Sequence, residues 1–284
     1  MSAADRGTML PGAITVLAVH GNGGGAHRFS LVSPWMPRDV VFRPVTLPGF
    51  ADVSPDASLT SLADYARSLL TLLRQEPRPR VVLGHGIGGS IALELVQEYA
   101  SELDGLILHA PVGARLDRRW FPRFMAVPGM RDLGRRVFAA RAFRPVLRRL
   151  LFSRAVPGAY VDRFFDEYGQ CSVFSQMFDL ISVAWFRGLR PVRLPAALLW
   201  GEDERILAVD HLQEFQALLP LASIHRVPGW GHFPMAEAPA AYAAKIAALA
   251  RLLADRTADW SDPRLTNGRT GRTDVEIVAA GGRP

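Results

Sequence analysis

The chain has a single cysteine, Cys171, so no disulfide can form within it and stability must come from a packed core. No Cys/His cluster has zinc-ligand spacing, and neither a metal nor any other cofactor is implied. Apolar runs such as Ile14 to Val19 are strand-sized, far short of the ~20 residues that cross a bilayer. Met1 to Gly12 carries Asp5 and Arg6 but no apolar stretch of the kind a signal peptide needs. These absences lead to the expectation of a cytoplasmic chain with no stable membrane insertion. Lysine is almost missing too: Lys245 is the only one, and arginine carries the formal charge of +6. The basic stretches lack interleaved aromatics or a groove-reading motif, so nucleic acid is not an expected partner.

What is present, over 284 residues that are 49% hydrophobic, is alternation. Ile14 to Val19 reads as a strand buried on both faces of a parallel sheet. Val40 to Val45 reads as a second strand, closed by the turn Leu47-Pro48-Gly49-Phe50. Ser58 to Arg74 sets Leu62, Tyr65, Ala66, Leu69, Leu70 and Leu73 at helical spacing. Val81 to Leu83 is a strand, a helix follows to about Ala100, and Leu103 to Ala110 is the next strand. From about Pro111 the alternation stops. Pro122, Pro128, Pro145 and Pro157 break helical patterns rich in arginine, with scattered Trp, Phe and Met, which predicts a helical lid inserted between two strands. Alternation resumes with a strand at Ala196 to Trp200, a helix at Val209 to Leu219 and a strand at Ser223 to Val227. A last helix is expected from about Ala238 to Arg251, with Tyr242, Ile246, Leu249 and Leu253 on one face. The reading is an α/β fold with a doubly wound, mostly parallel sheet built from residues 1–110 and 191–256, a helical lid at 111–190, and a polar tail at 257–284 expected to be disordered. Asp274 to Ala279, within that tail, is β-like in composition.

The most informative stretch is Gly84-His85-Gly86-Ile87-Gly88-Gly89, between the strand Val81-Val82-Leu83 and a helical pattern starting at Ser90. Strand, glycine-rich turn and helix form the context of a nucleophile elbow, G-x-S-x-G. Here the pattern is G-x-G-x-G, and Gly86 stands where the serine would be. The frame for covalent catalysis is written into the chain, but the attacking oxygen is not.

With four other segments this turn resembles the α/β-hydrolase superfamily, in particular its lidded esterase-like members. The segments are His20-Gly21-Asn22-Gly23-Gly24, Pro48-Gly49-Phe50, Trp200-Gly201-Glu202-Asp203-Glu204, and Gly229-Trp230-Gly231-His232-Phe233-Pro234 with Glu237 and Pro239 behind it. Elbow, acid and histidine come in that family's order. The resemblance spans roughly residues 14 to 252, and it departs in two ways: little chain precedes the first parallel strand, and the nucleophile position has no side chain.

The resemblance implies a role for each site residue. His232 holds the place of the base, and Glu204, three residues after Gly201, the place of the acid that orients it, with Asp203 as the alternative acid. The backbone amides of Asn22 and Ile87 would form the oxyanion hole, which glycine at 86 leaves undisturbed. His20 and His85 read as supports of loop geometry, Ser90 as a helix residue facing the sheet, and Cys171 as a small buried hydrophobe. The arginines Arg118, Arg119, Arg123, Arg135, Arg136, Arg148 and Arg149 read first as a solvated face. Their sharper reading is an electropositive rim for an anionic substrate, an acidic carrier protein or an anionic surface.

Three functions remain open on the sequence. The favoured one is an enzyme that uses a His-Glu dyad and an oxyanion hole for non-covalent acid/base chemistry. Elimination, cyclisation, decarboxylation or direct hydrolysis would fit, on a medium-sized, largely apolar carbonyl compound, and a biosynthetic role is suggested by analogy alone. The second is a serine esterase or thioesterase inactivated by replacement of serine with glycine. The third is a non-catalytic module that binds a ligand or partner on a hydrolase scaffold.

Overall fold

The apolar runs pair side by side in the computed structural model, which describes residues 10–118, 120–207 and 209–260. The strands are β1 (Ile14–Val19), β2 (Val40–Val45), β3 (Arg80–His85), β4 (Gly105–His109), β5 (Ala196–Gly201) and β6 (Ala222–Val227). They form one sheet in the order β2-β1-β3-β4-β5-β6, with every pair parallel. β1, β4 and β5 are buried along their whole length, as their apolar sequences require, while β2 and β6 at the two edges are partly exposed.

Helices α1 (Leu62–Arg74), α2 (Ile87–Tyr99), α9 (Leu212–Leu218) and α11 (Pro239–Trp260) belong to the sheet-forming part of the chain. α1 starts at Leu62 and not at Ser58, because Ser61 caps it. The Ser61 hydroxyl accepts from the Asp64 amide, and the Asp64 carboxylate accepts from the Ser61 amide, closing a capping box. Residue Ser58 is instead held in a turn by Asp56. The segment expected to be helical from Val209 opens as a 3-10 turn at Val209–His211 and becomes α-helical at Leu212. α11 continues to Trp260, past the expected end at Arg251 and into the start of the expected tail, since Leu253 prolongs its buried face and no glycine or proline stops it. The rest of that tail, with Asp274 to Ala279, lies outside the described residues.

Between β4 and β5 the chain forms α3 (Trp120–Met125), α4 (Met130–Ala139), α5 (Arg144–Leu151), α6 (Gly158–Gln170), α7 (Phe174–Leu180) and α8 (Val183–Gly188). This helical insertion is tied to the loop after β1 by a buried ion pair. Arg28 Nε lies 3.3 Å from Glu167 Oε2 of α6, with both side chains 3% exposed. The Arg28 guanidinium also lies 3.3 Å above the Phe164 ring, and Arg28 Nη2 donates to the Phe164 carbonyl. Two charges so deeply buried are tolerable only as partners.

The connection out of β1 leads to β2 on one side of the sheet, and β3 lies on the other. The crevice at the carboxyl ends of β1 and β3 is therefore a topological switch point, where such sheets bind ligands. Gly84 allows α2 to start hard against this crevice: a Cβ there would come within 2.6 Å of the Gly89 Cα.

Candidate active site

Two turns meet at the switch point. Gly86, between β3 and α2, has φ +56° and ψ −119°. A residue with a side chain is strained in that conformation and glycine is not. A Cβ built on Gly86 would meet the Gly21 Cα at 3.5 Å, an ordinary contact, and beyond its chain neighbours nothing else described within 4 Å. Space thus opens above Gly86, bounded by the loop that follows β1.

The Asn22 and Ile87 amides stand on these turns, and neither has a hydrogen-bond partner among the described residues. Ile87 is the first residue of α2, where the helix supplies no acceptor and its dipole favours negative charge. The Asn22 side chain fixes its own loop: Nδ2 donates to the Phe174 carbonyl at 3.2 Å, and Oδ1 accepts from the Gly23 amide at 3.0 Å.

His232 lies in the loop between β6 and α10 (Pro234–Glu237). Its Nδ1 is 2.6 Å from Glu204 Oε2, with the two side chains 11% and 1% exposed. Glu204 Oε1 accepts from the amides of Ile206 and Leu207 at 2.6 and 3.1 Å. Burial alone would raise the Glu204 carboxyl, but the His232 ring and these hydrogen bonds outweigh it and hold the group below the ordinary glutamate value. A carboxylate at this distance places the imidazole proton on Nδ1 and leaves the Nε2 lone pair available, with no partner among the described residues. Asp203, the alternative acid, is exposed, and its amide donates to the Trp230 carbonyl at 3.0 Å. The acid brought to His232 is Glu204.

His20 and His85 sit between these pieces. His20 Nδ1–H donates to the Gly21 carbonyl at 2.9 Å while Nε2 accepts from the Leu47 amide at 3.3 Å. His85 Nε2–H donates to the His232 carbonyl at 3.1 Å, and the two rings are 4.6 Å apart. The other side of the His85 ring faces the loop after β1, with Nδ1 3.2 Å from where a Gly21 Cβ would be. The loop after β1, the Gly86 turn and the His232–Glu204 pair are therefore gathered around one imidazole. His109 at the end of β4, which the sequence reading passed over, packs against it with ring centroids 4.8 Å apart and the planes tilted by 38°. A histidine closing the strand next to the elbow strand was the available signal. Ser90 is spent on a 2.7 Å bond to the Val112 carbonyl, and burial pushes the Cys171 thiol up to about 11, so neither is a ready nucleophile. An aromatic wall adjoins His232. Phe233 lies 4.6 Å from its ring, with Phe164 at 5.0 Å and Phe152 at 5.5 Å from Phe233, centroid to centroid. Among the described residues no group of three or more His, Cys, Asp or Glu side chains is arranged to hold a metal ion.

The supporting histidines make stability depend on pH. Burial lowers His20 to about 4 and His109 to about 3; it lowers His85 as well, aided by the repulsion it would meet from His232 and His109 if all were protonated. Below the ordinary value of about 6.5 the unfolded chain takes up protons that these folded rings refuse. Each histidine then removes about 1.4 kcal/mol of stability per pH unit, until the pH reaches its folded value. Burial lowers His27 and His225 in the same way, while Glu167 and Glu237, raised by burial, act in the opposite sense, two groups against five. The thermal midpoint should therefore hold steady from pH 8 to 7 and fall steeply from 6.5 towards 5. A scanning-calorimetry midpoint that stays level to pH 5 would contradict the buried, neutral assignment.

A model of the Alpha/beta hydrolase family matches residues 16–245. The chain is 25% identical over 210 residues to an uncharacterised protein of Mycobacterium tuberculosis, a match covering 66% of this chain and 60% of that one. It thus spans less than two thirds of the length of that relative. The pimeloyl-[acyl-carrier protein] methyl ester esterase of Aromatoleum aromaticum is 23% identical over 244 residues, covering 79% and 93% of the two chains. The esterase EaEST of Exiguobacterium antarcticum superposes with a TM-score of 0.67 at 13% identity, over 84% of this chain and 91% of its own, a likeness of fold.

Proposed function

Since the chain belongs to the alpha/beta hydrolase family, we propose that it is an enzyme whose chemistry runs through the His232–Glu204 dyad without a covalent bond to the polypeptide. The observation that carries this reading is the 2.6 Å contact between the His232 ring and a buried Glu204, kept beside a turn whose own residue has nothing to attack with. In the simplest case a water above Gly86 attacks a carbonyl carbon while His232 Nε2 takes its proton. The carbonyl oxygen becomes an oxyanion against the Asn22 and Ile87 amides. As the intermediate collapses, the imidazolium returns the proton to the leaving group. The same groups would serve elimination, decarboxylation or cyclisation, each of which needs a proton moved and an oxyanion or enolate stabilised. Phe233 beside His232, with Phe152 and Phe164 against it, supports a medium-sized, largely apolar carbonyl substrate, with the helical insertion acting as its lid.

Intact-mass spectrometry during turnover of activated esters and lactones tests this reading. Turnover that depends on the protein, with the chain mass unchanged throughout, is the expected result, and a trapped acyl adduct would overturn it. The inactivated-esterase reading keeps one observation in its favour, the side-chain-sized space above Gly86. A wild-type chain inert towards every carbonyl compound tried would favour that reading.

A further inference from the structure

The charge of the chain is concentrated in one region. Residues 115–154 hold twelve arginines against two acids, Asp117 and Asp132, a balance of +10 in a chain whose total is +6, so the remainder sums to −4. Some of these arginines are spent internally: Arg131 pairs with Asp179, and Arg144 with Asp162 and Asp166. Arg136, Arg141 and Arg149 are exposed and have no carboxylate partner among the described residues.

The same region also exposes apolar side chains. Of the ten large hydrophobic residues exposed among those described, six fall between 124 and 150: Phe124, Val127, Leu133, Phe143, Val146 and Leu150, at 45 to 68%. On α5 the arrangement is a stripe. Val146 and Leu150 are four residues apart and Phe143 three before, so they share the outer face, while Leu147 and Leu151 pack against the core. Arg149 flanks this stripe on α5, and Arg136 follows Leu133 by one turn on α4. Arg144, Arg148, Arg149 and Arg154 line a cavity of about 560 Å³ together with Phe152, which touches the Phe233 that borders His232.

Exposed apolar tips set among arginines on short helices are the composition of an interfacial surface, where the tips enter the acyl boundary and the guanidinium groups meet lipid phosphates. From this we infer that the outer face of residues 124–150 seats the protein on an anionic lipid bilayer, as a peripheral contact. No helix among the described residues is long and apolar enough to cross a membrane, so the attachment is one of surface. An acidic carrier protein would satisfy the arginines as well; the six apolar side chains favour the bilayer, whose acyl boundary takes them in without a shaped partner surface. The inference goes beyond the proposed chemistry and does not depend on it.

The test is co-sedimentation of the full chain with vesicles of phosphatidylcholine, alone or mixed with phosphatidylglycerol. Binding is expected only to the anionic vesicles, and it should weaken with salt. Arg136→Gln with Arg149→Gln should weaken it by about fivefold per charge. Val146→Asn with Leu150→Asn should weaken it at least ~10-fold, with unchanged far-ultraviolet circular dichroism. His232→Ala should bind like the parent, which separates this result from the fate of the catalytic reading. Equal binding to neutral vesicles, or no binding at low salt, would overturn the inference. So would full binding by the Val146/Leu150 variant, because the contact would then be diffuse electrostatics alone. Capture of a purified acidic acyl-carrier protein that is sensitive to the same four substitutions, with no vesicle binding, would assign the face to a protein partner and overturn it equally.

Discussion

A Gly86→Ser chain is expected to hydrolyse simple aryl esters through an acyl-enzyme and to be labelled by a fluorophosphonate, which the parent is not. The backbone at 86 already has the φ of +56° that a residue at the tip of a strand-to-helix elbow adopts, and a Cβ there meets only an ordinary contact with Gly21. The new hydroxyl would have the Ile87 amide as its next main-chain donor and His85, which touches His232, as its chain neighbour. Losing the nucleophile costs a serine hydrolase about a million-fold in turnover, so restoring it can raise ester hydrolysis by several orders of magnitude. The substitution also has a cost. A side chain at this φ and ψ strains the backbone by about 1–3 kcal/mol, which a lower unfolding midpoint should register. A well-folded Gly86→Ser chain with neither label nor esterase activity would show that Gly86 does not stand at a nucleophile position. The parent's own activity separates the two catalytic readings. If the space above Gly86 belongs to substrate or water, the serine should diminish the native reaction while creating the new one.

The parts of this site that the sequence made legible were those with a local signature. Val19 and Gly84 end in register on neighbouring strands, and the glycine-rich turns beyond them could be placed from hydrophobic runs and breakers alone. The Ser61-x-x-Asp64 cap is equally local, and it starts α1 a turn after Ser58, where the helical spacing alone would begin it. What could not be read was pairing at a distance. Arg28 and Glu167 meet across more than a hundred residues, and each looks like a surface charge in its own neighbourhood until the fold buries both. The acid stands between the two cases: the resemblance favours Glu204, three residues after Gly201, and leaves Asp203 as the alternative. Adjacent residues in an acidic turn point in different directions, and the turn geometry, with Ile206 and Leu207 donating to Glu204, aims that side chain at His232.

Removing the His232 ring should lower the native reaction by about 10²- to 10⁴-fold, the usual worth of a positioned general base. The more revealing variant is Glu204→Gln. The amide is nearly the same size and can keep an oxygen towards Ile206 and Leu207, so the fold should survive. What changes is the partner offered to His232 Nδ1. A carboxylate accepts a proton there; an amide NH₂ donates one, which drives the imidazole proton to Nε2 and removes the lone pair that must take the substrate's or water's proton. A tautomer reversed in this way costs about 10⁴ in turnover where it has been isolated from geometry, so Glu204→Gln should be nearly as damaging as His232→Ala. The double variant should be scarcely worse than either single one, because residues that act as a unit do not contribute additively. Asp203→Asn, on an exposed side chain, should leave turnover within about twofold, the scale of surface changes within ±0.5 kcal/mol. Steady-state kinetics on the four variants decides the matter: a crippled Asp203→Asn beside an active Glu204→Gln would move the acid to the neighbouring residue and dissolve the dyad on which the proposed chemistry stands.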